Sequence, residues 1–277
     1  MSVSGGRPSP LATAHWLALM AGWRRWFSYS LEGMEHLRTH ECKIVVGYHG
    51  RPLAWDLFML GAEIHREQGY LPLALVHYDF MKWPYLRWLT EGLLWTTGKG
   101  PILDEAIAKG RHVILAPGGA SEGLRPGWVR YQVDWTGTGY LRLAIARGLE
   151  VVPVGSSGVD DAYFGLNDAA RIEQRLKLRK GSTAIWAGLG PLGLYPWSPP
   201  FPARVHQIVG APIIPVYPER ERAELLADPQ AIAALHQKVQ ARVQELLGLA
   251  RAVARAPQHR SNRRLAWNQK LKTLAGR

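Results

Sequence analysis

The chain has little cysteine and a shortage of acidic residues. Cys42 is the single cysteine among 277 residues, which excludes an intrachain disulfide, and no Cys/His cluster has the spacing of a structural zinc site. We therefore expect a reducing, cytosol-facing compartment and no metal or redox cofactor. Internal repeats and long linkers are also missing, which predicts one principal domain.

The acidic residues are outnumbered by 34 Lys and Arg to 22 Asp and Glu, a net charge of +12. Such an excess indicates an acidic partner, which can be nucleic acid, an anionic membrane surface or a phosphorylated substrate. The 12 tryptophans favour the membrane, because Trp with Arg and Lys is typical of a bilayer interface. Stacking on single-stranded nucleic acid uses the same residue types. We predict a protein associated with the cytoplasmic face of a membrane, with no nucleic-acid partner.

No uninterrupted apolar helix long enough to span a bilayer is evident. Residues 11–23 are uncharged but too few, and Arg24-Arg25 follow this stretch, which is a poor fit to a signal peptide. We predict that residues 1–30 form a Trp-rich, amphipathic interfacial segment; the alternative is a helix packed on the protein's own core.

A second uncharged stretch covers residues 181–203. Four glycines and five prolines interrupt it, so it is predicted to be a loop system and not a membrane span. Its aromatic residues would line an apolar pocket, enter the interface or belong to an ordinary buried loop: Trp186, Tyr195, Trp197 and Phe201.

Short apolar runs alternate with helical patterns along the central part of the chain. Strands are predicted over residues 43–48, 71–76, 112–116 and 150–154. Helices are predicted over residues 53–67, 82–95, 102–109 and 136–147. This alternation predicts an α/β fold with a mainly parallel mixed sheet flanked by helices.

The loops after two of these strands carry reactive groups. His49 stands in Gly47-Tyr48-His49-Gly50, with Asp56 seven positions on, an arrangement suited to general-base chemistry. The loop that follows residues 112–116 supplies the candidate ligand-binding residues Gly118, Gly119, Ser121, Glu122 and Arg125. Ligands of such sheets bind beyond the carboxyl ends of strands, so we predict a site where the two loops meet; a surface-loop histidine is the alternative.

The C-terminal region divides into a helix and a tail. Asp228 is a predicted N-cap with Pro229 in the first turn, and an apolar stripe follows at Ile232, Leu235, Val239, Val243, Leu246 and Leu247. Residues 251–277 hold eight Arg or Lys and no acid, which predicts a flexible tail attracted to anionic lipid. The predicted partition is therefore 1–30, 31–250 and 251–277.

Several of these motifs together resemble a known family. Gly47-Tyr48-His49-Gly50 with Pro52 and Asp56, followed by Pro-Gly-Gly-Ala-Ser-Glu at 117–122, is similar to the diacylglycerol acyltransferase type-2-like branch of the lysophospholipid (glycerolipid) acyltransferases. Residues 31–37, Val152-Pro153-Val154 and residues 201–212 resemble further blocks of that family in the same order. The likeness covers roughly residues 30–250.

The resemblance implies a membrane-associated O-acyltransferase. His49 would act as the general base and Asp56 would fix its tautomer, while an acyl group passes from acyl-CoA or acyl carrier protein to a hydroxyl of a glycerolipid or lysophospholipid. The donor is then a substrate, and no cofactor is implied. The chain departs from the wider family because six residues, not four, separate His49 from Asp56, which makes Asp79 a second candidate carboxylate. Arg125 would hold a phosphate on the donor or acceptor.

Two other function classes fit parts of the sequence. Gly119-Ala120-Ser121-Glu122-Gly123 matches the nucleophile elbow of a serine esterase or lipase. The triad would be completed by Asp160 or Asp161 and by His206 or His236. A non-catalytic basic protein that binds lipid or RNA would account for the charge alone.

Overall fold

The computed structural model describes residues 7–98, 100–177 and 185–256, and its centre is a six-stranded mixed sheet. The strands of this sheet are β1 (Ser30–Glu32), β2 (Lys43–Gly47), β3 (Leu73–Ala74), β4 (Val113–Leu115), β5 (Glu150–Ser157) and β9 (His206–Val209). Their spatial order is β1-β9-β5-β2-β4-β3. All neighbouring pairs are parallel except β5 and β9.

Helices cover both faces of this sheet. They are α1 (Pro10–Trp26), α2 (Trp55–Gln68), α3 (Pro84–Gly92), α4 (Pro101–Ala108), α5 (Gly119–Gly123), α6 (Gly139–Arg147), α7 (Ala169–Leu176), α8 (Glu219–Ala227) and α9 (Pro229–Arg255). Alternate residues of β2 enter different apolar clusters: Ile44 and Val46 pack in one, and Val45 packs in the other. This alternation is the one expected of a strand buried on both faces, and the predicted α/β fold is confirmed.

The four predicted strands and four predicted helices are all present, with shifted ends. β5 continues beyond its predicted end to Ser157, because its last residues pair with β9 after its first residues have paired with β2. β1, β9, α5, α7 and α8 were not predicted except where the family resemblance touched them. β1 is a three-residue edge strand, too short to show a period.

The N-terminal helix α1 buries one face in the protein. Ala12, Trp16 and Met20 are buried, and the Trp16 ring meets the Trp95 ring edge to face at 5.7 Å. On this face, α1 therefore packs on the protein's own core, which was the alternative to an interfacial segment. An interfacial role remains a prediction for the opposite face, where Leu11 is exposed. Within the described residues, no helix is both long and apolar enough to cross a membrane.

The Asp228 cap is confirmed, since its side chain accepts hydrogen bonds from the backbone N–H groups of Gln230 and Ala231 at 2.8 and 3.1 Å. Most of the predicted stripe is buried: Ile232, Val239, Val243, Leu246 and Leu247. α9 continues to Arg255, so the first five residues assigned to the tail belong to the helix. Residues 257–277 of the predicted tail lie outside the described residues.

The predicted loop system contains part of a second sheet. β6 (Phe164–Gly165), β7 (Gly188–Gly190) and β8 (Gly193–Leu194) form three short antiparallel strands. Residues 181–184 of the predicted loop lie outside the described residues. The aromatic residues divide, because Trp186 is buried against the Tyr163 and Tyr195 rings whereas Trp197 is exposed. These short strands were not predicted, because two- and three-residue strands rich in glycine lack a period.

Candidate active site

The two reactive loops meet at one edge of the main sheet. β2 and β4 are parallel neighbours, with Val46 paired with Leu115, so their carboxyl ends lie side by side. His49 follows β2, and the Gly118-Gly119 turn follows β4. The juxtaposition predicted from the two strand ends is therefore present.

The His49 imidazole is fixed by its own loop. Its Nδ1 lies 2.9 Å from the Gly50 carbonyl oxygen. Because a carbonyl oxygen only accepts, Nδ1 carries the proton, and Nε2 holds the lone pair. Burial is the main reason that the His49 pKa falls to about 4. The imidazole is neutral at pH 7, the state required of a base.

The Glu122 side chain, on the short helix after β4, forms a hydrogen bond to the loop that carries His49. Its Oε2 accepts hydrogen bonds from the His49 backbone N–H at 2.8 Å and from the Trp135 indole at 3.1 Å. Its Oε1 accepts one from the Asp134 backbone N–H at 3.1 Å. The side chain is buried, and this burial raises the Glu122 pKa to about 7. Both oxygens are engaged within the protein, so Glu122 positions the His49 loop, in contrast to the predicted contact with substrate.

Gly123 lies directly against the imidazole. A Cβ added there would stand 2.3 Å from His49 Nδ1, far inside contact distance. The short helix α5 can therefore pass the histidine only with glycine at this position.

Asp56 does not fix the His49 tautomer in this structure. Its Oδ2 accepts hydrogen bonds from Ser156 Oγ at 2.5 Å and from Gln207 Nε2 at 3.4 Å, and its Oδ1 has no partner among the described residues. Burial raises the Asp56 pKa to about 6. The expected role is filled by the Gly50 carbonyl, while Asp56 lies in the first turn of α2.

Asp79, the second candidate carboxylate, contacts His77 and not His49. Its Oδ1 is 2.5 Å from Lys82 Nζ, and its Oδ2 is 3.6 Å from His77 Nδ1. His77 lines the same cavity as His49. His77 was not predicted as a site residue, although it directly follows the predicted strand 71–76, much as His49 follows β2.

An apolar cavity of about 370 Å³ opens beside His49. This volume lies within the range of about 300–1,000 Å³ typical of small-molecule pockets. Apolar side chains from α1, α2 and the sheet supply much of its lining: Trp16, Leu53, Leu57, Phe58, Leu75, Val76, Trp95, Ile114 and Leu115. Gly61 and Pro72 also line it. The site therefore joins a neutral imidazole to a compartment suited to a hydrocarbon chain.

The remaining predicted ligand-binding residues take different places. Gly119 lines the cavity, and Gly118 caps α5. Ser121 lies within α5. Arg125 donates through Nε to the Glu122 carbonyl at 3.0 Å, and through Nη2 to Tyr48 Oη at 2.9 Å and to the Gln132 carbonyl at 2.6 Å. Its Nη1 makes no hydrogen bond within the described residues, and the predicted phosphate contact stays a prediction.

A buried polar network supports the His49 loop and was not predicted. Tyr48 donates its hydroxyl to Asp160 Oδ2 at 2.7 Å, and the Tyr131 backbone N–H donates to the same oxygen at 2.6 Å. The fully buried Arg51 donates to the carbonyls of Pro126 and Val129 at 2.9 and 2.6 Å. These bonds tie residues 48–51 to the loop after α5.

The serine-hydrolase triad is not assembled. His206 Nδ1 is 2.8 Å from Ser30 Oγ, and the two ring nitrogens of His236 lie 3.1 and 3.0 Å from Tyr140 Oη and the Trp135 carbonyl oxygen. Asp160 is held by Tyr48, and Asp161 by Arg130 and Tyr131. In the part of the chain that the structure describes, no hydrogen bond joins Ser121 to a histidine. The same part holds no group of three or more metal-ligating side chains placed to bind an ion.

Comparison with known proteins adds a distant structural likeness. No family model and no curated protein matches the chain. The fold is similar to the crystal structure of the 1-acyl-sn-glycerophosphate (LPA) acyltransferase, PlsC, from Thermotoga maritima, at 18% identity and a TM-score of 0.48, over 85% of this chain and 81% of that one. A likeness at this level decides nothing about activity, which rests on the site's own geometry.

Proposed function

We propose that the protein is an O-acyltransferase that moves a fatty acyl group from an acyl thioester to a hydroxyl of a glycerolipid or lysophospholipid. The observation that carries the proposal is a neutral imidazole, its Nε2 lone pair unclaimed by hydrogen bonds among the described residues, at the wall of an apolar cavity. The motifs around His49 and residues 117–122 support the same reaction class.

The reaction follows from the placement of these groups. The acyl chain lies in the cavity, and the thioester carbonyl lies near His49. Nε2 takes the proton from the acceptor hydroxyl as that oxygen attacks the carbonyl carbon. The C–S bond then breaks, and the imidazolium returns its proton to the thiolate. The ester and the free thiol leave, and no covalent enzyme intermediate forms.

The tetrahedral intermediate carries an oxyanion that needs hydrogen-bond donors. The Gly119 N–H donates to the Ala116 carbonyl at 2.9 Å, but the next backbone N–H groups of α5, beginning with that of Ala120, lack intrahelical partners. Ala120 lines the cavity. Such preorganised donors contribute on the order of 10²–10³ in rate each. The Gly-rich turn after β4 is therefore the proposed oxyanion site.

The proposed donor is acyl-CoA or acyl carrier protein, and the proposed location is the cytoplasmic face of an anionic membrane. Both donors are acidic, as is such a surface, and the chain carries a net charge of +12. The two Arg125 Nη1 donors are proposed to contact a donor or acceptor phosphate.

Thiol release from a panel of acyl-CoAs tests the proposal. It is measured with and without lysophospholipid, monoacylglycerol or diacylglycerol, for wild type, His49→Ala and Ser121→Ala. Release that requires an acceptor, disappears with His49→Ala and persists with Ser121→Ala supports acyl transfer. Acceptor-independent release that requires Ser121 would instead establish a hydrolase, and binding to lipid with no turnover of any thioester would favour a non-catalytic protein.

A further inference from the structure

The second sheet packs on the protein through glycine. A Cβ on Gly188 would lie 2.3 Å from the Trp186 ring, and one on Gly190 would lie 2.4 Å from Ser198 Oγ. On β6, a Cβ on Gly165 would lie 2.4 Å from the Arg125 carbonyl oxygen. These close approaches leave no room for side chains on the inner positions, so the sheet cannot bury apolar groups of its own there.

The alternate positions carry large apolar side chains that are open to solvent. Phe164, Leu189 and Leu194 are 46%, 42% and 47% exposed. Phe164 pairs with Leu189, and Leu189 pairs with Leu194, so the three side chains form one row on one side of the sheet. Leu192 in the β7–β8 turn is 80% exposed, and Trp197 just after β8 is 86% exposed. We call these five residues the apolar sheet face.

This pattern is the reverse of the usual one. An antiparallel sheet with one face in water normally turns apolar residues toward the core and polar residues outward. Contiguous exposed apolar patches of this kind mark interaction sites. The apolar sheet face therefore has the composition of a surface that becomes buried when the protein binds a partner.

Exposed cations on the helix that follows β6 in the chain favour an anionic partner. Helix α7 begins at Ala169, shortly after β6 ends at Gly165. Arg175 and Leu176 at its end and the C-cap Lys177 are exposed. The single acid within α7, Glu173, is buried. Together with the exposed leucines and Trp197 of the sheet, these cations match the composition of a surface that contacts an anionic bilayer, where apolar side chains enter the head-group region and cations meet phosphates.

We propose that the apolar sheet face inserts into the head-group region of an anionic membrane, with Arg175 and Lys177 on the lipid phosphates. This contact would place the membrane partner of the proposed function at a defined surface of the fold. It does not depend on turnover, because the contact is made by residues outside the cavity.

Vesicle binding of paired variants tests the inference. Leu189→Gln/Leu194→Gln is compared with wild type and with Leu249→Gln, a control on α9 whose side chain is 47% exposed. Each exposed leucine that enters a bilayer contributes on the order of tenfold in partitioning. We expect at least tenfold weaker binding of the double variant to vesicles of phosphatidylcholine and phosphatidylglycerol, with Leu249→Gln unchanged. Equal binding of all three proteins would overturn the inference.

Insertion can be observed directly through a single label. Cys42 is buried, so an environment-sensitive dye attached at Leu192→Cys reports on the sheet face, and the dye at Leu249→Cys serves as the control. Addition of phosphatidylglycerol vesicles should brighten the first dye and leave the second unchanged. A brightening that needs no vesicles and follows protein concentration would show a contact between copies of the chain and would overturn the inference.

The outcome is separable from that of the proposed chemistry. His49→Ala should bind vesicles as wild type does, and Leu189→Gln/Leu194→Gln should turn over a short-chain, water-soluble thioester and acceptor at the wild-type rate. Vesicle binding without any acyl transfer would leave the docking surface standing while the acyltransferase proposal fails.

Discussion

Glu122 Oε2 accepts a hydrogen bond from the His49 backbone N–H at 2.8 Å. This contact joins the loop after β2 to the short helix after β4. Two segments that are 73 residues apart in the chain are thereby held as one site. The Glu122 carboxylate holds the backbone of His49, and the Gly50 carbonyl holds its imidazole ring.

Replacement of Glu122 should change how stability depends on pH. Burial raises the Glu122 pKa from the ordinary 4.5 to about 7 in the folded protein, so the folded state binds the proton more tightly than the unfolded state. Stability from this group is present below pH 4.5 and is lost as the pH rises through 7. Relative to Glu122→Gln, wild type should lose up to about 3 kcal/mol across this window.

Denaturant unfolding of both proteins at pH 5 and pH 8 measures this difference. Because the comparison is made against the variant, the opposing contribution of His49 largely cancels. Parallel pH profiles for the two proteins would show that Glu122 titrates normally.

Asp56→Asn should retain most of the activity. The imidazole tautomer is set by the Gly50 carbonyl, and asparagine keeps an acceptor for the Ser156 hydroxyl. We expect less than about tenfold loss in kcat, whereas loss of a carboxylate that fixes a catalytic histidine costs about 10⁴. Initial rates of thiol release decide the point, and a loss equal to that of His49→Ala would restore Asp56 as the partner of the histidine.

Gly123→Ala should disable the site while leaving the rest of the fold intact. The new Cβ would stand 2.3 Å from His49 Nδ1, so the ring must move, and a displacement of about 1 Å can cost on the order of 10² in rate. Ser121→Ala, two residues away, is the matched control. Circular dichroism checks the fold, and a Gly123→Ala rate within twofold of wild type would contradict the proposed position of the imidazole.

Gly61→Val should shift the protein toward shorter acyl chains. Gly61 lines the cavity, and a Cβ there would lie 3.2 Å from the Trp16 ring and 3.4 Å from Pro72 Cγ. Each methylene excluded from the cavity lowers apparent affinity by about 0.8 kcal/mol, or roughly fourfold. KM across a series of acyl-CoA lengths measures the shift, with Gly22→Val as control because nothing lies within 4 Å of a Cβ there. An unchanged length profile would place the acyl chain elsewhere.

The elements that carry a continuous apolar run or a helical apolar stripe in the sequence were predictable. β2 and β4 are buried apolar runs, and α9 has both a capping residue and an apolar stripe, so their existence and the meeting of their loops could be predicted. The second sheet could not be, because its inner positions are glycine and its strands are too short to show alternation.

The partners of the site residues depended on geometry that no local pattern carries. The six residues between His49 and Asp56 indicated a departure from the family, but the carbonyl that replaces the carboxylate belongs to Gly50, and every residue has a carbonyl. The role of Glu122 likewise follows from a tertiary contact.

The rate of acyl transfer by His49→Ala, measured at saturating donor and acceptor with and without added imidazole, tests the central claim most directly. If Nε2 is the general base, the variant should lose about 10²–10⁴ in kcat. Imidazole, which fits the space vacated beside the cavity, should restore part of the rate in proportion to its neutral form. A variant that keeps the wild-type rate without imidazole would contradict the claim.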